Sequence, residues 1–149
     1  MNETKTWLLV ADASGARIFE VAADGRSMQR EPVQAFETET PPSREIASDR
    51  QGRTFDSAGE GRHAKERPTD PQRYEKERFA RHLADALRKA YTGHAFGRLA
   101  IVAPPQMLGD LRACLDDEVR DAVVKETAKD LAMQPAQELE RRLGDLVTA

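Results

Sequence analysis

The residues best suited to chemistry lie in one Gly- and Arg-rich segment, RQGRTFDSAGEGRHAKERP, at residues 50–68. Glycine permits backbone conformations that other residues avoid, and an arginine guanidinium binds phosphate or carboxylate through a planar fork of donors. The cationic and imidazole side chains are Arg50, Arg53, Arg62, His63, Lys65 and Arg67, and the glycines that shape the backbone are Gly52, Gly59 and Gly61. Because a helix is predicted to follow, the segment indicates an anion-binding or RNA-binding site near a helix N-terminus.

The same segment also has a simpler interpretation as a solvated loop. Asp56, Glu60 and Glu66 lie among the cations and weaken their positive potential. Phe55 is the only aromatic residue of the segment, so stacking on nucleic-acid bases has little support. Gly59 to Arg62 reads Gly-Glu-Gly-Arg and lacks the Gly-Lys-Ser/Thr ending of a phosphate-binding P-loop.

Other residue types that could do chemistry are not arranged for it. The three histidines fall in no zinc-binding spacing, so neither a metal nor another cofactor is predicted. Ser14 and Ser57 have no identifiable base, and Asp12 is best explained by a turn. Cys114 is expected on the apolar side of a helix, as a small buried side chain. We therefore expect no catalytic residue.

The charge of the chain is divided unevenly along its length. The net charge is −3 over 149 residues, yet residues 50–98 carry 12 Lys and Arg against 7 Asp and Glu, a net charge of +5. The parts before and after are each acidic, at −4. A basic patch of this kind can attract a polyanion even on an acidic protein. The alternative is a solvated helix face with intrahelical ion pairs.

Length and composition favour one domain over residues 1–149 with a single core. No apolar run approaches the roughly 20 residues of a membrane helix, and the N-terminus lacks a secretory pattern. A lone cysteine fits a reducing compartment. We expect a cytoplasmic protein without membrane contact. A homo-oligomer is compatible with the sequence, but nothing in it demands one.

Three strands are predicted first, at Thr6–Ala11, Ala16–Ala22 and Ser27–Glu37, joined by turns at 12–15 and 24–25. Gly15 is expected to take a positive φ in the first turn. Pro32 predicts an edge position or a bulge for the third strand. Residues 38–72 then form a long irregular segment, and a loop of this length is usually functional or disordered.

The helical pattern begins near Asp70, with Pro71 as the first helical residue, and ends at Gly93. Phe79, Leu83 and Leu87 are spaced four apart and form its apolar stripe, while Arg78 and Arg81 lie largely off it and extend the basic site. The order is completed by a strand at 96–103, a helix after Pro105, a short helical turn, a strand near 122–126 and a last helix from Pro135. The predicted fold is α/β: a mixed five-stranded sheet with helices on both faces, the last two strands parallel to a neighbour.

Several stretches together resemble the bacterial host attachment family, the proteins required for attachment to host cells. They are WLLVADASGARIF, GRTFDSAGEGRHA, YEKERFARHLADALRKA, FGRLAIVAPPQMLGDLR and VVKETAKDL with the later ELERRL. The resemblance covers nearly the whole chain, and VAPPQMLGDLR and KETAKDL are its more specific parts. This family in turn resembles the middle domain of archaeal and eukaryotic class I peptide chain release factors, which implies the same mixed α/β domain.

The resemblance to release factors stops at their active motif. In those proteins a Gly-Gly-Gln loop precedes a long helix and promotes hydrolysis of peptidyl-tRNA. Here Gly59 to Arg62 stands at the corresponding place, without the glutamine, so release activity is not carried over. Three hypotheses follow: a non-enzymatic module that contacts RNA, the ribosome or tRNA; a protein-interaction factor for attachment; and a hydrolase that uses His63 or Glu60 of the loop.

Overall fold

The computed structural model describes residues 5–38 and 71–148, and in that part of the chain five strands and five helices are present. The strands are β1 (Thr6–Ala11), β2 (Gly15–Val21), β3 (Gln34–Glu37), β4 (Arg98–Ala103) and β5 (Val123–Ala128). The helices are α1 (Pro71–Thr92), α2 (Pro105–Cys114), α3 (Asp117–Ala122), α4 (Ala136–Arg141) and α5 (Leu143–Val147). Within the described ranges, no helix is both long enough and apolar enough to cross a membrane.

The strands form one mixed sheet in the order β3-β2-β1-β4-β5. β1 to β3 are an antiparallel meander, whereas β4 runs parallel to β1 and β5 runs parallel to β4. Helix α1 precedes β4, and α2 and α3 connect β4 to its parallel neighbour β5. The predicted α/β class, the mixed five-stranded sheet and the placement of helices on both faces are confirmed.

Each face of the sheet has its own hydrophobic cluster, because successive side chains of a strand point to opposite faces. Trp7 and Leu9 of β1 pack with α1, α2 and α3 on one side, which we call the α1 face. Leu8 and Val10 pack with α4 and α5 on the other side, which we call the α5 face. β1 is buried along its whole length, which agrees with its continuous run of apolar residues.

The third strand is shorter than predicted. Pairing with β2 is regular only over Gln34–Glu37, and Met28 contributes one isolated bridge to Val21. The backbone N–H of Met28 donates to a carboxylate oxygen of Glu140 at 3.2 Å, and Pro32 has no N–H to donate to a strand. The chain therefore leaves the sheet between these points and returns as an edge strand, the position that Pro32 predicts.

The expectation for Gly15 is corrected by the backbone. Gly15 does not adopt a positive φ; it is required because a Cβ there would lie 2.9 Å from the carbonyl oxygen of Phe36 in β3. Positive φ occurs instead at Gly25, in the second predicted turn, and at His94, one residue beyond Gly93. Histidine tolerates this region better than a branched side chain does, and His94 ends α1 with its N–H donating to the carbonyl of Tyr91 at 3.0 Å.

The predicted last helix is divided into α4 and α5 at Arg142, whose φ of −99° and ψ of 7° depart from helical values. Leu139, Leu143 and Leu146 all reach the α5-face cluster despite the division. Arg17 of β2 fixes the preceding loop, because its Nη2 donates to the carbonyls of Ala132 at 2.7 Å and of Gln134 at 2.6 Å. Partial burial lowers the pKa of this guanidinium.

Candidate functional site

The described chain on either side of residues 39–70 reaches the same edge of the sheet, where the parallel strands β1 and β4 end. Thr38 follows β3, and its N–H donates to the carbonyl of Ser14 at 3.2 Å, in the turn after β1. Arg73 lies in the first turn of α1 and binds α2, which follows β4. Two separate contacts therefore hold both flanks of the Gly- and Arg-rich segment at one end of the molecule.

Arg73 is the stronger of these two anchors. Its Nη1 and Nη2 donate to the two carboxylate oxygens of Asp110 at 2.8 and 2.6 Å, and its Nε lies 3.3 Å from Glu77. The hydrogen bond to Asp110 raises the pKa of Arg73. A bidentate pair fixes direction as well as distance, so α1 starts in a defined orientation on α2.

A cavity of about 250 Å³ opens at this edge of the sheet. Asp12, Ser14, Lys76, Gln106, Met107 and Asp130 contribute to its lining. In the strand order, β1 continues to β2 on one side and β4 continues to β5 on the other, so the two connections diverge between β1 and β4. Such a topological switch point is where open α/β sheets bind ligands. The volume is below the usual range of small-molecule sites, about 300–1,000 Å³, so it suits a few atoms of a larger partner.

The segments that carry the family resemblance converge on this cavity. WLLVADASG supplies Asp12 and Ser14, YEKERFARHLADALRKA supplies Lys76, VAPPQMLGDLR supplies Gln106 and Met107, and KETAKDL supplies Asp130. Residues far apart in sequence thus meet at one place, directly beside the flanks of the Gly- and Arg-rich segment. Sequence reasoning missed this cavity, although polar residues at the carboxyl ends of two predicted parallel strands were a usable signal.

Two polar residues of the cavity, Asp12 and Ser14, stabilise the turn after β1. Oδ1 of Asp12 accepts hydrogen bonds from the Ser14 N–H, the Ser14 hydroxyl and the Gly15 N–H at 2.8 to 3.0 Å. Ser14 therefore has a carboxylate partner, and no histidine of the described residues is hydrogen-bonded to it. Over residues 5–38 and 71–148, no group of three His, Cys, Asp or Glu side chains is placed to hold a metal ion.

Most of the predicted site residues lie outside the described residues, and two lie within them. Those outside are Arg50, Arg53, Arg62, His63, Lys65, Arg67, Gly52, Gly59 and Gly61. Arg78 and Arg81 are both exposed on α1. Nη1 of Arg78 lies 3.4 Å from Glu75, whereas Arg81 forms no ion pair with any described residue.

Tyr74 joins these two arginines in one exposed row of α1. The three residues are spaced by four and three positions, which places them on one side of a helix. Tyr74 is 47% exposed and the Arg78 side chain is 60% exposed. We call Tyr74, Arg78 and Arg81 the α1 row. The sequence reasoning found both cations but missed the aromatic residue beside them.

Cys114 and His82 both contact apolar neighbours. Cys114 is partly buried in the α1-face cluster, and burial raises the pKa of its thiol although the charge of Arg81 acts in the opposite direction. A thiolate nucleophile needs the reverse shift. His82 is exposed and meets the ring of Phe36 edge-on, with 5.5 Å between ring centroids. Both observations indicate structural roles.

Comparison with known proteins supports the fold and identifies the family. A solved structure described as an archaeal protein aligns with a TM-score of 0.51 and 10% identity, over 98% of this chain and 35% of that chain. This likeness shows a shared fold. A crystal structure of the archaeal translation termination factor aRF1 aligns with a TM-score of 0.47 and 10% identity, over 92% of this chain and 33% of that one.

The chain spans about one third of the length of either solved structure. None of the curated proteins compared with the chain matches it. One sequence family, described as protein required for attachment to host cells, matches residues 7–143. Since this match takes in nearly all of the sequence, the chain belongs to the host attachment family.

Proposed function

We propose that this chain is a non-enzymatic cytoplasmic module that contacts RNA, on the ribosome or on tRNA. The contact would be made by residues 50–67 together with the adjoining α1 row. The observation that carries the proposal is that Tyr74, Arg78 and Arg81 form one exposed row immediately after the Gly- and Arg-rich segment. Arginine binds phosphate through its fork of donors, and an exposed tyrosine offers a face on which a base can stack.

The charge balance of α1 agrees with a polyanionic partner. The helix carries six Lys and Arg against three Asp and Glu. In its C-terminal half Arg88 and Lys89 share one partner, Asp85, at 2.8 and 3.2 Å, which leaves a net charge of +1. Its N-terminal half, which is nearer in sequence to residues 50–67, has a net charge of +2, from four Lys and Arg against two Glu.

A binding role is also the simpler reading of the candidate site. The turn after β1 satisfies Asp12 with three internal donors, and the thiol of Cys114 has a raised pKa. The glutamine of the release-factor motif has no counterpart in Gly59 to Arg62. We accordingly propose recognition without peptidyl-tRNA hydrolysis.

Salt-dependent binding of a labelled single-stranded RNA and of total tRNA tests the proposal. We expect log K to fall linearly with log salt, by roughly 0.7 for each phosphate contact on a single strand. Arg78→Ala/Arg81→Ala should weaken binding about three- to tenfold and reduce that slope, and Arg53→Ala/Arg62→Ala/Arg67→Ala should weaken it further. Tyr74→Ala should weaken binding of single-stranded RNA without changing the slope, because stacking displaces no counterion.

A matched control removes the same charge elsewhere. Arg26→Ala/Arg141→Ala deletes two exposed arginines from the opposite side of the molecule, one in the turn after β2 and one in α4. This variant should bind RNA as the unmodified chain does. The proposal is wrong if the α1-row variant and this control bind RNA equally well, or if binding is insensitive to salt.

A second function, contact with another protein during attachment to host cells, is favoured by the family description. The two functions separate in one experiment: capture of partners from a cell extract at low salt, with and without RNase. Partners that disappear on RNase treatment support the RNA module. Partners that persist, and that the α1-row variant retains, support the protein-interaction function instead.

A further inference from the structure

A second and larger cavity, of about 630 Å³, lies on the α5 face of the sheet, beside the edge strand β5. Lys125, Thr127, Lys129 and Arg142 are among its lining residues. Three of the four come from KETAKDL, one of the specific segments of the family resemblance, and the RNA contact proposed above uses none of them. The volume falls within the range of about 300–1,000 Å³ that small-molecule sites occupy.

The strand register explains why these side chains meet. Lys125 is paired with Ala100 and Thr127 with Val102, and both partners in β4 belong to the α5-face cluster. Directly opposite residues in neighbouring strands point to the same face. Lys125 and Thr127 therefore project toward α5, whereas Glu126 between them projects to the α1 face and pairs there with Arg112.

The cations of this cavity have few internal partners. Lys125 and Lys129 form no ion pair with any residue in the ranges 5–38 and 71–148. Nε of Arg142 lies 3.2 Å from Glu138, which leaves its two terminal nitrogens without a hydrogen-bond partner in those ranges. Two carboxylates, Glu126 and Asp145, also line the cavity. Glu126 pairs with Arg112, so the two unpaired lysines outnumber the one unpaired carboxylate.

One of the lining residues, Thr127, carries a buried hydroxyl. Oγ1 of Thr127 is shielded from solvent and has no hydrogen-bond partner among the described residues. A buried polar atom without a partner costs free energy, and such an orphan often marks a place that a ligand or a bound water satisfies. A hydroxyl together with lysine and arginine donors is a donor set that suits an anion with several acceptor oxygens.

We propose that the cavity between β5 and α5 binds a small molecule that carries a phosphate group. Lys125 and Lys129 supply charge, the terminal nitrogens of Arg142 supply a fork of donors, and the Thr127 hydroxyl becomes a donor when rotation about the Cα–Cβ bond turns it toward the ligand. The remaining volume accommodates the rest of the molecule beside Leu146 and Gly144. This proposal is independent of RNA binding, because it uses the opposite face of the sheet.

Titration calorimetry with pyrophosphate as the probe tests the site, with sodium chloride added to hold ionic strength constant. We expect one pyrophosphate to bind per chain. Lys125→Ala/Lys129→Ala should weaken that binding about tenfold or more, since charge-assisted hydrogen bonds are the strong ones. Lys89→Ala, which removes a charge from the far side of the molecule, should bind pyrophosphate as the unmodified chain does.

Thr127→Val makes the test specific. Without ligand this variant should melt at an equal or higher temperature, because it removes a buried hydroxyl that lacks a partner, and with pyrophosphate it should bind several-fold more weakly. Neither Thr127→Val nor Lys125→Ala/Lys129→Ala should alter the affinity for RNA. The site is refuted if pyrophosphate binds the Lys125→Ala/Lys129→Ala variant and the unmodified chain equally, or if matched chloride abolishes the binding.

Discussion

A Cβ atom at Gly15 would lie 2.9 Å from the Phe36 carbonyl oxygen, whereas one at Gly109, inside α2, would meet nothing within 4 Å. We expect Gly15→Ala to lower the free energy of unfolding by about 1–3 kcal/mol, because β2 and β3 must separate to admit the methyl group. Gly109→Ala should raise it by about 0.5–1 kcal/mol, because alanine loses less backbone entropy in a helix. Urea denaturation of both variants measures the difference. If both substitutions changed the free energy of unfolding by the same amount and in the same direction, the expectation would be contradicted.

Single residues were predictable where their role is local. The apolar character of Cys114 and the turn role of Asp12 follow from neighbours within a few positions, and the structure agrees with both. Arg73 and Arg17 were not predictable, because their partners lie 37 and more than 100 residues away in sequence. Only the folded chain shows which of many arginines meets which acceptor.

A pH-dependent contact between elements ties α4 to the chain before β3. Glu140 of α4 accepts from the Arg30 Nε at 2.9 Å and from the Met28 N–H at 3.2 Å. These hydrogen bonds hold the pKa of Glu140 below the ordinary value of 4.5. A carboxyl group with a lower pKa in the folded chain adds stability above its unfolded-state pKa and loses it as pH falls through its folded-state pKa.

We therefore expect Glu140→Gln to lower the free energy of unfolding at neutral pH, and to lower it by less at acid pH, as Glu140 itself becomes protonated. Urea denaturation of both chains at the two pH values measures this. Glu138→Gln is the matched control, since Glu138 pairs with Arg141 and Arg142 within its own neighbourhood rather than with another element. If Glu140→Gln lowered the free energy of unfolding by the same amount at both pH values, Glu140 would act through packing instead.

Elements were predictable in type and sequence order, and less so in length. β1 and α1 have long, unbroken apolar patterns, so their bounds were close to the observed ones. β3 was predicted too long because its polar sequence cannot show that regular pairing with β2 is lost between the bridge at Met28 and Gln34. The position of β4 between β1 and β5 depends on helix crossovers, which sequence periodicity alone does not specify.

At the scale of the whole molecule, the two hydrophobic clusters share one sheet and should unfold together. Trp7 lies in the α1-face cluster and stacks on Phe96 with 4.9 Å between ring centroids, so its fluorescence reports that face. Far-ultraviolet circular dichroism reports both faces. We expect the two signals to give one coincident transition in urea, as single domains of this size usually do. A fluorescence transition that precedes the loss of helix would show that the faces unfold separately.

The candidate site was predictable only in part at this scale. Charge segregation directed attention to α1, and the structure shows Arg78 and Arg81 exposed there. Both cavities escaped prediction because each is assembled from segments that the fold alone brings together. Most of the residues that line them belong to the stretches that carry the family resemblance, so the resemblance was a usable signal.

The attachments of Thr38 to Ser14 and of Arg73 to Asp110 have an evolutionary consequence. Neither contact involves a residue from 39–70, so mutation can change the chemistry of that stretch without disturbing either attachment. Natural selection can then act on recognition and on folding separately. Members of the family are therefore free to differ in sequence between Thr38 and Arg73 while they keep the same sheet.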